Sequence, residues 1–262
     1  MRSIIKFCKN RYTIVVVVIG VLIGSSLYVG FSPLNLAKGL PNIGRFIGAL
    51  FPPDISIIPS LIKPALDTVM MAFVGTSIAT VLSIPLALLA AGNVMPYSIV
   101  TRISRVIIGL NRVIPDIVFA LIFIAAVGLG TFPGTLALAI HSIGMLGKLY
   151  RERIEEVDAS KLESIMALGG NRLQMVRYAV MPEVLPSMVS NTLFRFDHNM
   201  RQSIVMGFVG AGGLGFKLIV AMRLFRYNEL LSILLVTLIL VLIVEFVSDR
   251  LRKKIIGNKT LG

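Results

Sequence analysis

Residues 230–247 read LLSILLVTLILVLIVEFV. Wound as a helix at 1.5 Å per residue, this run is about 27 Å long, close to the roughly 30 Å hydrocarbon core of a bilayer. Glu245 is its one charged residue. The rest of the chain has the same character. Of 262 residues, 56% are apolar and 15% charged, against about 25% charged in an ordinary soluble domain. Mean hydropathy is +0.87. Such a composition excludes a disordered chain, a collagen-like chain and a disulfide scaffold, and argues against a soluble enzyme. The single cysteine, Cys8, can form no internal disulfide and anchor no cysteine metal site. Two histidines and thirteen acids leave little material for catalysis.

Five further apolar stretches are predicted to cross. The first is Tyr12–Gly30, preceded by Arg2, Lys6, Lys9 and Arg11. It is too long for a signal-peptide core and reads as a retained anchor. The others are about Ala65–Ala91, Val113–Gly130, Thr135–Tyr150 and Val184–Val209. Between the first two lies a proline-bearing insert, Phe31–Ile62. There Ile43, Phe46, Ile47, Leu50 and Phe51 fall at helical spacing and predict a helix on the membrane surface or on the bundle, ended by Pro52 and Pro53. Gly92–Asn111 is amphipathic and carries Arg102 and Arg105. With the N-terminus inside, six spans leave most of the 26 lysines and arginines on the inner side. Only Lys38, Arg45, Lys63, Lys217, Arg223 and Arg226 lie outside, and Arg195 and Arg201 lie within the fifth stretch. That bias places both termini in the cytoplasm. The net charge of +13 therefore marks inner loops rather than a nucleic-acid footprint, and nucleic acid is not expected as a partner.

One inner loop is long. Residues 163–182 read ESIMALGGNRLQMVRYAVMP. A first helix ends at Gly169-Gly170, Asn171 is placed to cap a second, and that second helix is expected to stop at Val180, before Pro182. Leu162, Ile165, Met166, Leu173 and Met175 can form one apolar face. Such a hairpin is a rigid knob able to pass force from a soluble partner to the adjoining spans; the alternative is a plain connection. Glu163, Gly169 six residues on and Pro182 beyond it resemble the EAA loop of ABC-importer permeases, with Ala167 and Gly170 inside the matching region. Ser164 and Ile165 stand where that family has alanines, Ala179 stands at a usual branched position, and Met181 replaces leucine. The resemblance implies coupling helices that dock on an ATP-binding subunit.

The fifth stretch is polar where lipid is expected: NTLFRFDHNMRQS, residues 191–203. Counted from Pro182, Arg195 lies about 20 Å along a helix, past the middle of the core. Asp197 and Arg201 are four apart and predict an ion pair, leaving Arg195 unpartnered on its own helix. An unpaired guanidinium beside a water-lined path attracts anions and offers phosphate or phosphonate oxygens a bidentate fork. His198, Asn199 and Ser203 add polar groups. A structural network that holds the bundle together is the competing reading, and the two are compatible.

The segment from Phe194 to Arg201, followed by Val209-Gly-Ala-Gly-Gly-Leu-Gly215, is similar to the phosphonate-importer permeases, as are residues 33–38, 51–54, 127–130 and 141–144. The resemblance implies an all-α integral membrane protein with six transmembrane helices in the ABC type I importer fold. It implies a bacterial inner-membrane location, a second copy of the chain, two ATP-binding cassette subunits and a periplasmic binding protein. Related systems carry phosphite and other phosphorus oxyanions. On this reading residues 1–64 are tail, first span and insert, residues 65–249 the permease core with its loop at about 151–182, and residues 250–262 a basic tail.

Gly210, Gly212 and Gly215 fit the dinucleotide-binding pattern by spacing alone. No strand precedes them and no acid follows about 20 residues on, so they read, with Gly213, as a close-packed turn or gate. Lys217 misses the phosphate-loop spacing. No cofactor, catalytic residue or metal site is expected on this chain, and ATP with Mg belongs to the partner ATPase. The same architecture with another small solute, such as an amino acid, and a non-transporting scaffold or sensor are the alternatives.

Overall fold

A computed structural model describes residues 11–256. The tails with Cys8 and Lys259, and the sequence expectations that fall there, lie outside the described residues. The chain divides into two compact units, residues 1–49 and 50–262. In the first unit, α1 (Arg11–Tyr28) and α2 (Pro33–Leu50) meet at a bend of 52°. Helix α2 starts well before the stripe at Ile43 and carries Pro41 within it. It stops at Leu50, as Pro52 and Pro53 require, since neither can donate a backbone N–H.

The second unit holds α3 (Ile58–Ala90), α4 (Ser98–Val113), α5 (Asp116–Val127), α6 (Thr131–Glu155), α7 (Ala159–Ala167), α8 (Arg172–Met175), α9 (Met181–Phe208), α10 (Gly213–Arg223) and α11 (Tyr227–Ile256). Among the described residues, Ile55–Ala90, Arg172–Arg223 and Tyr227–Ile255 are long and apolar enough to cross a membrane. The number rises to five if α1 with α2, and α4 with α5, each count as one bent span.

Helix α6 is not among them, and its place in the packing explains why. It contacts α3, α4, α5 and α9. Eleven of its residues are buried, and many are small: Gly134, Ala137, Ala139, Ser142, Gly144 and Gly147. Small residues let helix backbones approach where lipid provides no hydrophobic drive. On α3, Gly75 faces Leu138 and Thr135 so closely that a Cβ would lie 3.1 Å from the Leu138 Cβ. Three apolar clusters fill the unit. One joins α3, α6 and the knob through Ala87, Leu146, Tyr150, Leu162 and Met175. A second joins Leu61, Leu214, Leu218 and Ile233, and a third Met71, Leu138, Met206 and Ala211.

Two elements differ from the sequence reading. The stretch expected to cross as Val113–Gly130 is broken by extended residues at Ile114-Pro115, and α4 meets α5 at 87°. The second helix of the knob does not stop before Pro182. Val176–Val180 form a π turn and the chain continues directly into α9. The π turn changes the hydrogen-bond register, so Pro182 enters the first turn of α9, where its missing N–H costs little.

The glycine turn between α9 and α10 is tightly packed. Gly130 donates its N–H to the Gly210 carbonyl at 3.1 Å, and Leu214 donates to the Thr68 hydroxyl at 2.9 Å. Gly210, Gly212 and Gly213 have φ of 101°, 81° and 68°. A Cβ on Gly215 would overlap the Ile204 carbonyl. Gly215→Ala is therefore expected to reduce the yield of monodisperse detergent-solubilised protein sharply. Gly109→Ala, in the middle of α4 with nothing within 4 Å of the new carbon, is expected to raise stability by about 0.5–1 kcal/mol. Thermal unfolding of the two variants side by side checks both.

Candidate functional site

Three helices, α3, α6 and α9, bring their polar side chains to one buried seam. Asn199 on α9 is fully buried. Its amide nitrogen donates to the Thr76 hydroxyl on α3 at 2.8 Å and lies 2.9 Å from the Ser142 hydroxyl on α6. Arg195, one turn earlier and 3% exposed, donates Nε to the same Ser142 oxygen at 2.8 Å. Ser142 thus sits between an amide and a guanidinium. The Arg195 Nη2 atom is buried and makes no hydrogen bond among the described residues. At the elbow between α4 and α5, Asp116 accepts a short bond from the Gln202 side chain. Asp116 and Arg195 lie within electrostatic reach of His141 and His198.

The expected pair between Asp197 and Arg201 does not form. Asp197, 5% exposed, accepts from Arg252 on α11 at 3.1 Å and bonds the Ser248 hydroxyl. Arg201 lies 3.6 Å from Glu245, also on α11. Asp197 and Arg201 have thus each found a partner on α11 rather than along their own helix. The pairing sets Asp197 beside Arg252, at the basic end of α11. The helix runs on through Pro182 from Arg172, so that proline does not mark its start.

The remaining sequence candidates separate by exposure. His198 and Arg201 are exposed, whereas Arg195, Asp197, Asn199 and Ser203 are buried. The Ser203 hydroxyl donates back to the Met200 carbonyl at 2.7 Å and takes no part in the seam. Thr76, Asp116, Ser142 and Gln202 were not singled out in the sequence. A lone Thr or Ser in an apolar run carries no signal by itself, because its hydroxyl can always bond its own helix. Asp116 was the one legible member, an acid at the start of an apolar stretch.

The knob stands apart from this seam. Asp158 caps α7 through the Ser160 N–H at 2.9 Å, and Asn171 with Gln174 forms a reciprocal capping box on α8. Gly169 has φ of 82°, a left-handed conformation that turns the chain between the two helices. The expected apolar face divides. Leu162 and Met175 are buried and Ile165 packs on the core. Met166, Leu168, Leu173 and Tyr178 stay exposed at 44%, 86%, 80% and 60%. Glu163 and Ala167 are also exposed. Lys161 bridges to Glu183 on α9 at 2.7 Å, which ties the knob to the spanning helix. The Ser160 backbone N–H holds the Asp158 carboxyl below its ordinary pKa, and the hydrogen bond to Glu183 raises that of Lys161. The Asp158 cap is thus present above the unfolded carboxyl's pKa and lost as pH falls through the depressed folded value. The Lys161 bridge is complete below the unfolded ammonium's pKa and lost as pH rises through the raised one.

A buried polar seam inside a helical bundle, with a solvent-facing helical hairpin at a distance from it, belongs to a membrane transport subunit rather than to an enzyme that holds its substrate in a pocket. The chain belongs to the family described as binding-protein-dependent transport system inner membrane components, whose family model matches residues 83–257. It is 42% identical over 240 residues to the phosphite transport system permease protein PtxC of Stutzerimonas stutzeri, covering 91% of this chain and 87% of that one. It is 38% identical over 229 residues to the phosphate-import permease protein PhnE of Mycolicibacterium smegmatis, covering 87% of this chain and 43% of that one. The solved inward-facing MetNI methionine ABC transporter aligns over 77% of this chain and 99% of its own, with TM-score 0.68 and 22% identity. The bacterial alginate ABC transporter, solved in complex with an alginate pentasaccharide-bound periplasmic protein, aligns over 90% and 95%, with TM-score 0.58 and 15% identity. At those identities the likeness is one of fold. The protein is a multi-pass inner-membrane permease subunit of an ABC importer.

Asn199→Leu is expected to cost about 1–3 kcal/mol, since Thr76 and Ser142 lose a buried partner. Ser203→Ala, which removes only a bond within one helix turn, is expected to cost less than about 1 kcal/mol. Melting temperatures in one detergent rank the pair.

Proposed function

We propose that this permease moves phosphite, phosphonate or a related phosphorus oxyanion inward. Six spans with both termini in the cytoplasm are the arrangement that the distribution of Lys and Arg favours. Two copies of the chain enclose the path. Two ATP-binding subunits hydrolyse ATP with Mg on their own chains, and a periplasmic binding protein delivers the cargo. The observation that carries the cargo is the 42% identity, over nine-tenths of the chain, to a permease of a phosphite transport system. Arg195 agrees with it. A buried guanidinium with one nitrogen free to donate is the group that recognises phosphorus-bound oxygens.

Access alternates. Closure of the ATPase pair moves the knob, residues 163–182, by its exposed Met166, Leu168 and Leu173. The helix running on from Arg172 carries that movement to Arg195 and Asn199 without a flexible joint. Glu163, Ala167, Gly169, Gly170 and Pro182 act in this coupling. Arg195, Asp197, His198, Asn199, Arg201 and Ser203 border the path, and Gly210, Gly212, Gly213 and Gly215 hold its outer turn.

In proteoliposomes containing the complete transporter and its binding protein, unlabelled phosphite or methylphosphonate is expected to compete with labelled cargo, and methionine is not. Competition by methionine alone would end the phosphorus-oxyanion reading. Arg195→Ala is expected to lower uptake at least about tenfold, as loss of one charged hydrogen bond implies, with assembly retained. Gly169→Val, strained at positive φ, is expected to uncouple ATP hydrolysis from uptake while the complex still inserts. Tightly coupled transport in that variant would remove the knob from the mechanism.

A further inference from the structure

Between α3, α9 and α11 lies a groove of about 340 Å³ that neither the seam nor the knob uses. Its walls are Phe73 and Ser77 from α3, Leu193 and Phe196 from α9, and Val247 and Leu251 from α11. Phe73, Val247 and Leu251 are 57%, 49% and 46% exposed, so the groove opens on the surface of the spanning helices. Its hydroxyl-bearing walls offer a guest no free donor. Thr76, Ser77 and Thr192 each donate to the carbonyl four residues back, at 2.7–2.9 Å. Ser248 is taken up by Asp197. The groove is chemically a hydrocarbon site.

The groove would take in only part of a helix. Two helical turns with side chains, about 10–12 Å across, occupy on the order of 1,000 Å³. A flexible acyl tail fits. The charge at one end says which kind. Ile243, Val247 and Leu251 step along the groove face of α11 at intervals of four, and Lys254, three residues further, continues the same face beyond the apolar wall. Arg250 stands at its edge, over the Phe246 ring at 4.1 Å. Arg250, Lys253 and Lys254 are exposed and form no ion pair among the described residues, whereas Arg252 is already held by Asp197 and Asp249. A hydrocarbon slot that ends under unpaired cations matches a phospholipid with a net negative headgroup.

We propose that this groove holds one acyl chain of an anionic phospholipid, whose headgroup sits on Lys254 and Arg250. Its position gives the lipid a mechanical consequence. The groove is walled by Thr76 and Phe196, neighbours of Asn199 and Asp197, so a resident tail braces α9 against α11 beside the Asp197–Arg252 bridge.

The chain contains no tryptophan, so single reporters can be read without background. Val247→Trp faces the groove, and Leu242→Trp lies on the opposite face of α11, exposed and outside the groove walls. The variants are reconstituted with mixtures of phosphatidylcholine and either brominated phosphatidylglycerol or brominated phosphatidylcholine, and quenching is compared. At position 247 the anionic lipid is expected to quench with about tenfold preference over the zwitterionic one. At position 242 the two are expected to quench within about twofold. Arg250→Gln with Lys254→Gln is expected to abolish the preference at 247 and leave 242 unchanged, as is 1 M salt, where charges are screened beyond about 3 Å. Equal preference at both positions would reduce the effect to general attraction by a basic tail and overturn the site. Absence of quenching at 247 would show the groove filled by protein and overturn it equally.

Discussion

The Asn199 side chain ties the helices α3, α6 and α9 together through two hydroxyls. In a medium without water, each of those polar groups must find its partner inside the protein, and the partners are on α3 and α6. Helix association in lipid draws little from hydrophobicity, because lipid tails are as apolar as leucine. Close backbone approach and interhelical hydrogen bonds provide it instead. Both are present where α6 runs. Its glycines and alanines let α3 come close, and Ser142 is the meeting point of Asn199 and Arg195. A helix with so many small and polar residues is stable there only because it is enclosed.

From this seam the structure divides into parts that hold and a part that reaches out. Asp197 with Arg252 and Arg201 with Glu245 fix α9 to α11 at two levels. The glycine turn after α9 is held by the bond between Gly130 and Gly210. At the other end, the knob leaves Leu168 and Leu173 almost fully exposed while Leu162 and Met175 anchor it to the core. Because the π turn joins α8 to α9 without a loop, displacement of the knob is displacement of the helix that carries Arg195 and Asn199. That continuity gives the hairpin its mechanical meaning.

Local chemistry was legible in the sequence wherever it is written between near neighbours. Asn171 was expected to cap the second knob helix, and it does so with Gln174. Gly169 turns the chain with a left-handed φ, and Pro52 with Pro53 follows the end of α2, as their backbone chemistry demands. Partnership across helices was not legible. Four-residue spacing suggested Asp197 with Arg201, but Arg252 and Glu245 lie closer in space and in opposite directions. Thr76 and Ser142 gave no sign, because a hydroxyl in an apolar run looks the same whether it bonds its own helix or completes a seam.

The residues by themselves determined the medium, the helical class, the knob and the family, because hydropathy, capping and motif spacing are properties of short stretches of chain. Tertiary structure alone decided which charges on α9 pair with α11 and which hydroxyls complete the seam. Those outcomes depend on distances between residues far apart in the chain, such as Asp197 and Arg252, and such distances exist only once the helices have packed.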